Sequence, residues 1–256
     1  DMVRASADAE PARSTPGLGD QPTATALYAA IVTALYRREK TGRGGVAQTS
    51  LLQNGLWAGG CFVQNRLFGE HVAPRPPRAD APNALANHYR CRDGRWFLMA
   101  LHNEGRQLTS FLEAIGARHL ADDPRFATIL TRRENAVALT AILDDIFAKR
   151  DLADWRPVLE GAGVTFGAVY SVNEAADDKQ SRDIGALVPF ADGEGLTVSS
   201  PFHVDEATKT APRRAPAVGQ HSEKVLQDAG YSADEIARLK GLGILGAHNR
   251  ELEPAQ

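Results

Sequence analysis

In the run Gly17-Leu18-Gly19-Asp20-Gln21-Pro22-Thr23 a carboxylate follows a glycine pair and precedes a proline, and Thr41-Gly42-Arg43-Gly44 closes the segment after it. Pro22 suits the first turn of a helix, where its missing N–H would have had no partner, and Asp20 or Gln21 is then placed to cap that helix. An aspartate there sits at the positive end of the helix dipole, which favours its ionised form. The glycines leave room for a ligand to approach the backbone. Such a carboxylate serves as a nucleophile as readily as a cap, and aspartate is among the commonest N-cap residues, so the spacing alone leaves both roles open.

The elements around it follow from periodicity. Leu27, Ile31, Ala34 and Leu35 recur at helical spacing from Pro22 to Lys40, with Gly42 as the stop, which predicts an amphipathic helix packed on a core. Gly45 to Thr49 reads as a short strand, and Ser50 as the cap of a second helix reaching Phe68, weakened inside by Gly55, Gly59 and Gly60. Those glycines would permit close approach of a neighbouring helix or chain. Residues 69–83 carry Pro74, Pro76, Pro77 and Pro82 and read as an extended linker.

Beyond the linker, Tyr89 to Cys91 and Trp96 to Leu101 flank Arg92-Asp93-Gly94-Arg95 as a hairpin with Gly94 at positive φ. Asn103 caps a helix through Leu108, Phe111, Leu112 and Ile115, and Gly116 ends it. A further helix carries Leu139, Ile142, Leu143, Ile146 and Phe147; another holds Trp155, Val158 and Leu159 despite Pro157. Val164 to Tyr170 reads as a strand before the capping box of Ser171 and Glu174, and Gly193 to Val204 as a glycine break and a strand. Helices follow Ser222 and Ser232, the second opening on another capping box. The reading is a mixed α/β protein without an internal repeat.

With 256 residues, 43% of them hydrophobic, the chain can bury one large or two modest cores. Its net charge of -3 comes with no basic block interleaved with aromatics, so nucleic acid is not an expected partner. Apolar runs are broken well short of a membrane span, and no secretory signal is evident. Cys61 and Cys91 form neither a disulfide framework nor a metal spacing, which points to the cytoplasm. His88, His102 and His203 have no partner at metal or triad spacing. Arg37, Arg38 and Lys40 read as dipole compensation or as contacts for phosphate, and Arg132 and Arg133 as a solvated helix start.

Several segments, taken in order, resemble the class III CoA-transferases of the CaiB/BaiF group. They are Gly19-Asp20-Gln21-Pro22-Thr23 with the helix to Arg37-Arg38-Glu39-Lys40, Thr41-Gly42-Arg43-Gly44 and Val46 through Leu52; Asn87 to Trp96; Asp123-Pro124-Arg125-Phe126; Gly163 to Val169 with Glu174-Ala175 and Gln180; and Ala215-Pro216, Gly219-Gln220-His221-Ser222 and Val225-Leu226. Each is short, and their order over nearly the whole chain makes the likeness specific. His221 in the last of these reads as structural, since a helix follows it.

The resemblance implies that Asp20 is a covalent nucleophile, carrying coenzyme A as an aspartyl thioester between an acyl-CoA donor and a carboxylic acid acceptor. It implies an α/β fold with part of a large Rossmann-like CoA-binding domain and a smaller α/β domain, in an interlocked homodimer. The corresponding limits are 1–68 for the part bearing the nucleophile, 69–84 for a linker, 85–188 for the small domain and 189–256 for a return linker and the end of the large domain. No metal or redox cofactor is implied, since the coenzyme A thioester is itself the substrate. Family members also carry an α/β segment ahead of the Gly-Asp motif that supplies much of the nucleotide pocket. The expectation is that this chain lacks it, and a noncatalytic fragment or partner subunit is therefore an alternative reading. The racemases of the same family are another. Their second acid is expected around Leu85 to Asn87, where this sequence has none, and transfer is the preferred reading. CoA shift within one diacid would use the same Asp20. No glycine-rich lid follows the second helix.

Overall fold

In a computed structural model, residues 4–245 are described. Helix α1, Asp20–Thr41, ends where Gly42 takes φ 68° and returns its N–H to the Arg38 carbonyl at 2.8 Å. A left-handed residue there is the usual helix stop, and glycine adopts it without a Cβ clash. The segment expected as a strand at Gly45 to Thr49 is coil, since no described strand pairs with it to complete a ladder. Ser50 accepts the Gln53 N–H at 3.1 Å and starts α2, Leu51–Ala58. The single helix expected to Phe68 is broken at Gly59, after which α3 runs over Gly60–Leu67.

The first helices depart most from expectation. No residue of α1, α2 or α3 is buried, although α1 has its apolar positions at the anticipated spacing. Leu52 is 73%, Trp57 86% and Phe68 79% exposed. Helix α1 lies against α2, and Ile31 and Leu35 of its apolar stripe stay 42% and 45% exposed.

The core lies farther along, between Ala84 and Val164. Strands β1 (Ala86–Arg90), β2 (Trp96–Ala100) and β3 (Thr165–Ala168) form an antiparallel sheet in that order, pairing Tyr89 with Phe97 and Phe97 with Ala168. Burial alternates along β1 and β2, so Tyr89, Phe97 and Met99 face inward while His88 and Leu98 face out. Helices α4 (Glu104–Ala114), α6 (Ala136–Phe147) and α7 (Leu152–Gly161) supply the other half of this core, while α5 (Ile129–Glu134) buries only Arg132. The Phe147 ring meets Tyr89 at 5.0 Å, Phe97 edge-on at 4.9 Å and Trp155 edge-on at 5.3 Å. Each such ring contributes roughly 1.5–3 kcal/mol by burial. The polar ends are also satisfied: Tyr89 Oη donates to the Ala84 carbonyl at 2.6 Å and Trp155 Nε1 to the Phe147 carbonyl at 3.0 Å.

The chain divides into two units, 1–169 and 170–256. In the second, α8 (Val172–Asp177) opens with the Ser171 and Glu174 capping box, and α9 (Lys179–Asp183) follows. Strands β4 (Leu187–Pro189) and β5 (Leu196–Val198) form a hairpin, shorter than the strand expected from Gly193 to Val204. Helices α10 (Ser222–Asp228) and α11 (Ala233–Gly241) end the described chain, the latter capped by Ser232 and Glu235 as expected. Both sheets are antiparallel, and no helix among the described residues is long and apolar enough to cross a membrane.

Candidate active site

Asp20 is the first residue of α1 and is exposed. The cap position belongs to Gly19, at φ -88° and ψ -36°, and no side chain bonds to the helix start, so neither Asp20 nor Gln21 is the cap that the sequence suggests. The turn before it is tied by the backbone instead. Leu18 donates to the Thr15 carbonyl at 3.2 Å and Gln21 to the Gly17 carbonyl at 3.0 Å, with Gly17 at φ 82°. Thr23 fixes the Gly19 carbonyl twice, through its N–H at 3.3 Å and its hydroxyl at 2.8 Å. A side chain added at Gly19 would meet Leu51 of α2 at 3.7 Å.

The same backbone bonds limit which amides are left to face a ligand. Gln21 and Thr23 are already bonded and Pro22 has no N–H, so the N–H groups left without a partner among the described residues are those of Gly19 and Asp20. The Asp20 carboxylate likewise accepts no hydrogen bond there. The site therefore combines an unengaged carboxylate with two unengaged amides at the positive end of a helix of 22 residues.

The other polar residues fall elsewhere. Arg37, Arg38 and Lys40 are exposed at the far end of α1, with Arg38 paired to Glu39 at 3.2 Å. Arg38 stands about 27 Å along the helix axis from Asp20, so this end does not line the carboxylate. His88, His102 and His221 are exposed, the last at the cap position of α10, and exposed His203 reaches only Asp205 at 3.6 Å. An open depression of about 940 Å³ in the second unit is lined by Phe202, His203 and Lys209. Its lysine already donates to Ser199 Oγ at 3.1 Å and to the Ser200 carbonyl at 2.9 Å. That depression holds none of the expected catalytic residues.

One charged group was missed by the sequence. Arg132 is 3% exposed, not a solvated helix start. It donates through Nε to Glu104 Oε2 at 3.0 Å and through Nη1 to the Phe126 carbonyl at 2.8 Å, while Arg133 binds the other Glu104 oxygen. Burial pushes the Glu104 carboxyl up, but the hydrogen bonds and charges of Arg133 and Arg132 outweigh it and hold the group below its usual range. With both oxygens taken, Glu104 ties α4 to α5. Asp123-Pro124-Arg125-Phe126 is likewise structural: Asp123 accepts the Arg125 N–H at 2.9 Å, and the turn sends Phe126 into the core.

The chain as a whole resembles known proteins. The sequence pattern of the family described as CoA-transferase family III matches residues 2–222. The chain is 28% identical over 244 residues to (R)-2-hydroxy-4-methylpentanoate CoA-transferase of Clostridioides difficile, covering 90% of this chain and 58% of the relative. It is 25% identical over 212 residues to alpha-methylacyl-CoA racemase of Mus musculus, covering 82% of this chain and 54% of the relative. A CaiB/BaiF family protein from Brucella suis superposes with a TM-score of 0.70 at 26% identity, over 86% of this chain and 57% of that one. The chain thus spans little more than half the length of the proteins it matches. With the matched pattern running from before Asp20 into α10, and the fold shared with a CaiB/BaiF protein, the chain belongs to CoA-transferase family III.

Proposed function

We propose that the protein transfers coenzyme A from an acyl-CoA to a carboxylic acid through a thioester on Asp20. The observation carrying this reading is the Asp20 carboxylate itself, exposed at a helix start and engaged by nothing among the described residues. Its attack on the donor thioester forms a mixed anhydride and expels CoA thiolate. The thiolate then attacks the Asp20 carbonyl carbon, forming the aspartyl-CoA thioester and releasing the donor carboxylate. The acceptor carboxylate attacks that thioester in turn, and the returning thiolate takes the acceptor acyl group and restores Asp20. No net proton is exchanged. The amides of Gly19 and Asp20 are the donors for the tetrahedral oxyanions.

Intact mass after brief incubation with succinyl-CoA and other acyl-CoAs tests this. A CoA-sized adduct on the protein, absent from Asp20→Ala, is the expected result. Absence of an adduct, both on this chain and on a version extended to the length of its relatives, would sink it.

Racemisation is the second reading, favoured by the similarity to the mouse racemase. It requires a base at the acyl α-carbon, and the buried carboxylate of Glu104 has both oxygens bound by arginines. Uptake of solvent deuterium at the α-carbon, without CoA exchange between acids, would select it. The exposed apolar residues of α1 to α3 support a homodimer, tested by sedimentation of the protein and of Trp57→Glu. The free thiols Cys61 and Cys91 fit a cytoplasmic location.

A further inference from the structure

The Pro-rich connection after α3 is not uniformly loose. Gly69 and Glu70 close α3 by donating to the carbonyls of Arg66 and Asn65, each at 3.1 Å, and Gly69 has φ 89°. His71, Val72 and Ala73 then make no hydrogen bond among the described residues. From Pro74 onward the chain is restrained. Proline fixes φ at 74, 76 and 77, and each residue ahead of a proline is held to extended backbone, which covers Ala73, Arg75 and Pro76. Pro77, at φ -51° and ψ 152°, shows the resulting polyproline-like geometry. Such a chain rises about 3.1 Å per residue and does not fold back.

Both ends of this stiff stretch are pinned. The Arg75 carbonyl accepts the Ala7 N–H at 2.9 Å, and its guanidinium donates to the Arg4 carbonyl at 3.1 Å, joining parts of the chain 71 positions apart. Arg4 in turn donates to the Ala7 carbonyl at 3.1 Å, closing the contact. At the other end, Arg78 forks onto Asp144 of α6 at 3.0 and 2.6 Å, donates to the His88 carbonyl of β1 at 2.9 Å and lies over the rings of Tyr89 and Trp96. Its own carbonyl accepts Asn87 Nδ2 at 3.1 Å.

We propose that residues 74–78 are a strut that locks the segment 4–9 to the three-stranded sheet domain, and that bending between α3 and that domain is confined to residues 71 and 72. The segment 4–9 leads into the turn that carries Asp20. The strut therefore sets where the path to the nucleophile begins relative to the sheet, whichever reaction Asp20 performs.

The test is a distance distribution by electron paramagnetic resonance between labels at Asp8→Cys and Glu113→Cys, both exposed sites, in a Cys61→Ser background. A single narrow distance is expected, broadening about twofold in Pro76→Gly/Pro77→Gly and in Arg78→Ala as the spacer or its pin is lost. Hydrogen exchange on the unsubstituted protein reads the same strut without a variant: the Ala7 amide should be protected, with His71 to Ala73 exchanging freely. A broad distance in the parent, a distribution indifferent to both variants, or an unprotected Ala7 amide would each overturn the proposal.

Discussion

Asp93, in the turn between β1 and β2, accepts the backbone N–H of Leu152 at 3.1 Å and so caps a helix 59 positions away. The cap position of α7 belongs to Asp151, but that side chain makes no cap bond and instead takes Arg92 at 2.8 Å. The other Asp93 oxygen receives the Arg95 N–H at 3.1 Å, so one carboxylate shapes the hairpin and starts the helix behind it. Asp93→Ala should cost about 1–2 kcal/mol, read as a lower urea midpoint. Asp93→Asn, keeping an acceptor oxygen, should lose less, and Asp151→Ala less than Asp93→Ala because its arginine partner is exposed. Equal losses for Asp93→Ala and Asp151→Ala would show that the cap follows sequence position after all.

Glu104 gives stability a dependence on pH. Arg133 and Arg132 hold its folded carboxyl below the unfolded value of about 4.3, so the group binds protons more readily in the unfolded chain. Its contribution is therefore complete above that value and is lost as pH falls through the lower folded one. Glu104→Gln leaves Arg132 buried without a counter-charge, for an expected loss of about 3 kcal/mol at neutral pH. Denaturant midpoints from neutral to acidic pH should show a shallower acid decline in the variant than in the parent; parallel declines would exclude Glu104 as a source of it.

The contrast between these carboxylates shows what could be read ahead of the structure. The hairpin around Gly94, the caps at Ser50, Asn103, Ser171 and Ser232, and the inward faces of α4 and α6 depend on neighbours in sequence, and the structure has them where local rules put them. Arg132 left a weaker trace. Stepping back from Phe147 through Leu143, Leu139 and Ala136 at helical spacing lands on it, but charge argued for solvent, and only Glu104 from another helix makes its burial affordable. The Asp93 cap and the bare face of α1 were illegible for the same reason: whether a partner arrives is decided by chain far away. At the candidate site, the sequence located Asp20 at a helix start. It could not show that Gly19 holds the cap position, or that the Gln21 and Thr23 amides are already bonded.

The two thiols should differ sharply in reactivity. Cys91 is 3% exposed, and burial, with the nearby charges of Asp93 and Asp151, pushes its thiol up to about 11. Cys61 on α3 is exposed. Iodoacetamide at mildly alkaline pH should therefore label Cys61 alone in the folded protein, with Cys91 labelled only after denaturation. Peptide mass mapping decides it, and rapid labelling of Cys91 in the native state would mean that the β1 edge opens readily.

Asp20 offers a separation of structural and chemical roles that most helix-start carboxylates do not. Because its side chain makes no bond to the helix it begins, Asp20→Ala forfeits only its interaction with the helix dipole, worth under about 1 kcal/mol at an exposed site. Thermal and urea midpoints should accordingly move little, while the CoA adduct disappears. Thr23→Val tests the opposite case: it removes the hydroxyl bond to the Gly19 carbonyl at 2.8 Å and loosens the turn that presents the carboxylate. That variant should still form the adduct, at a lower rate, since the nucleophile is present but less well held. A marked loss of stability in Asp20→Ala would return the residue to the helix as a structural element and remove the ground for treating it as a nucleophile.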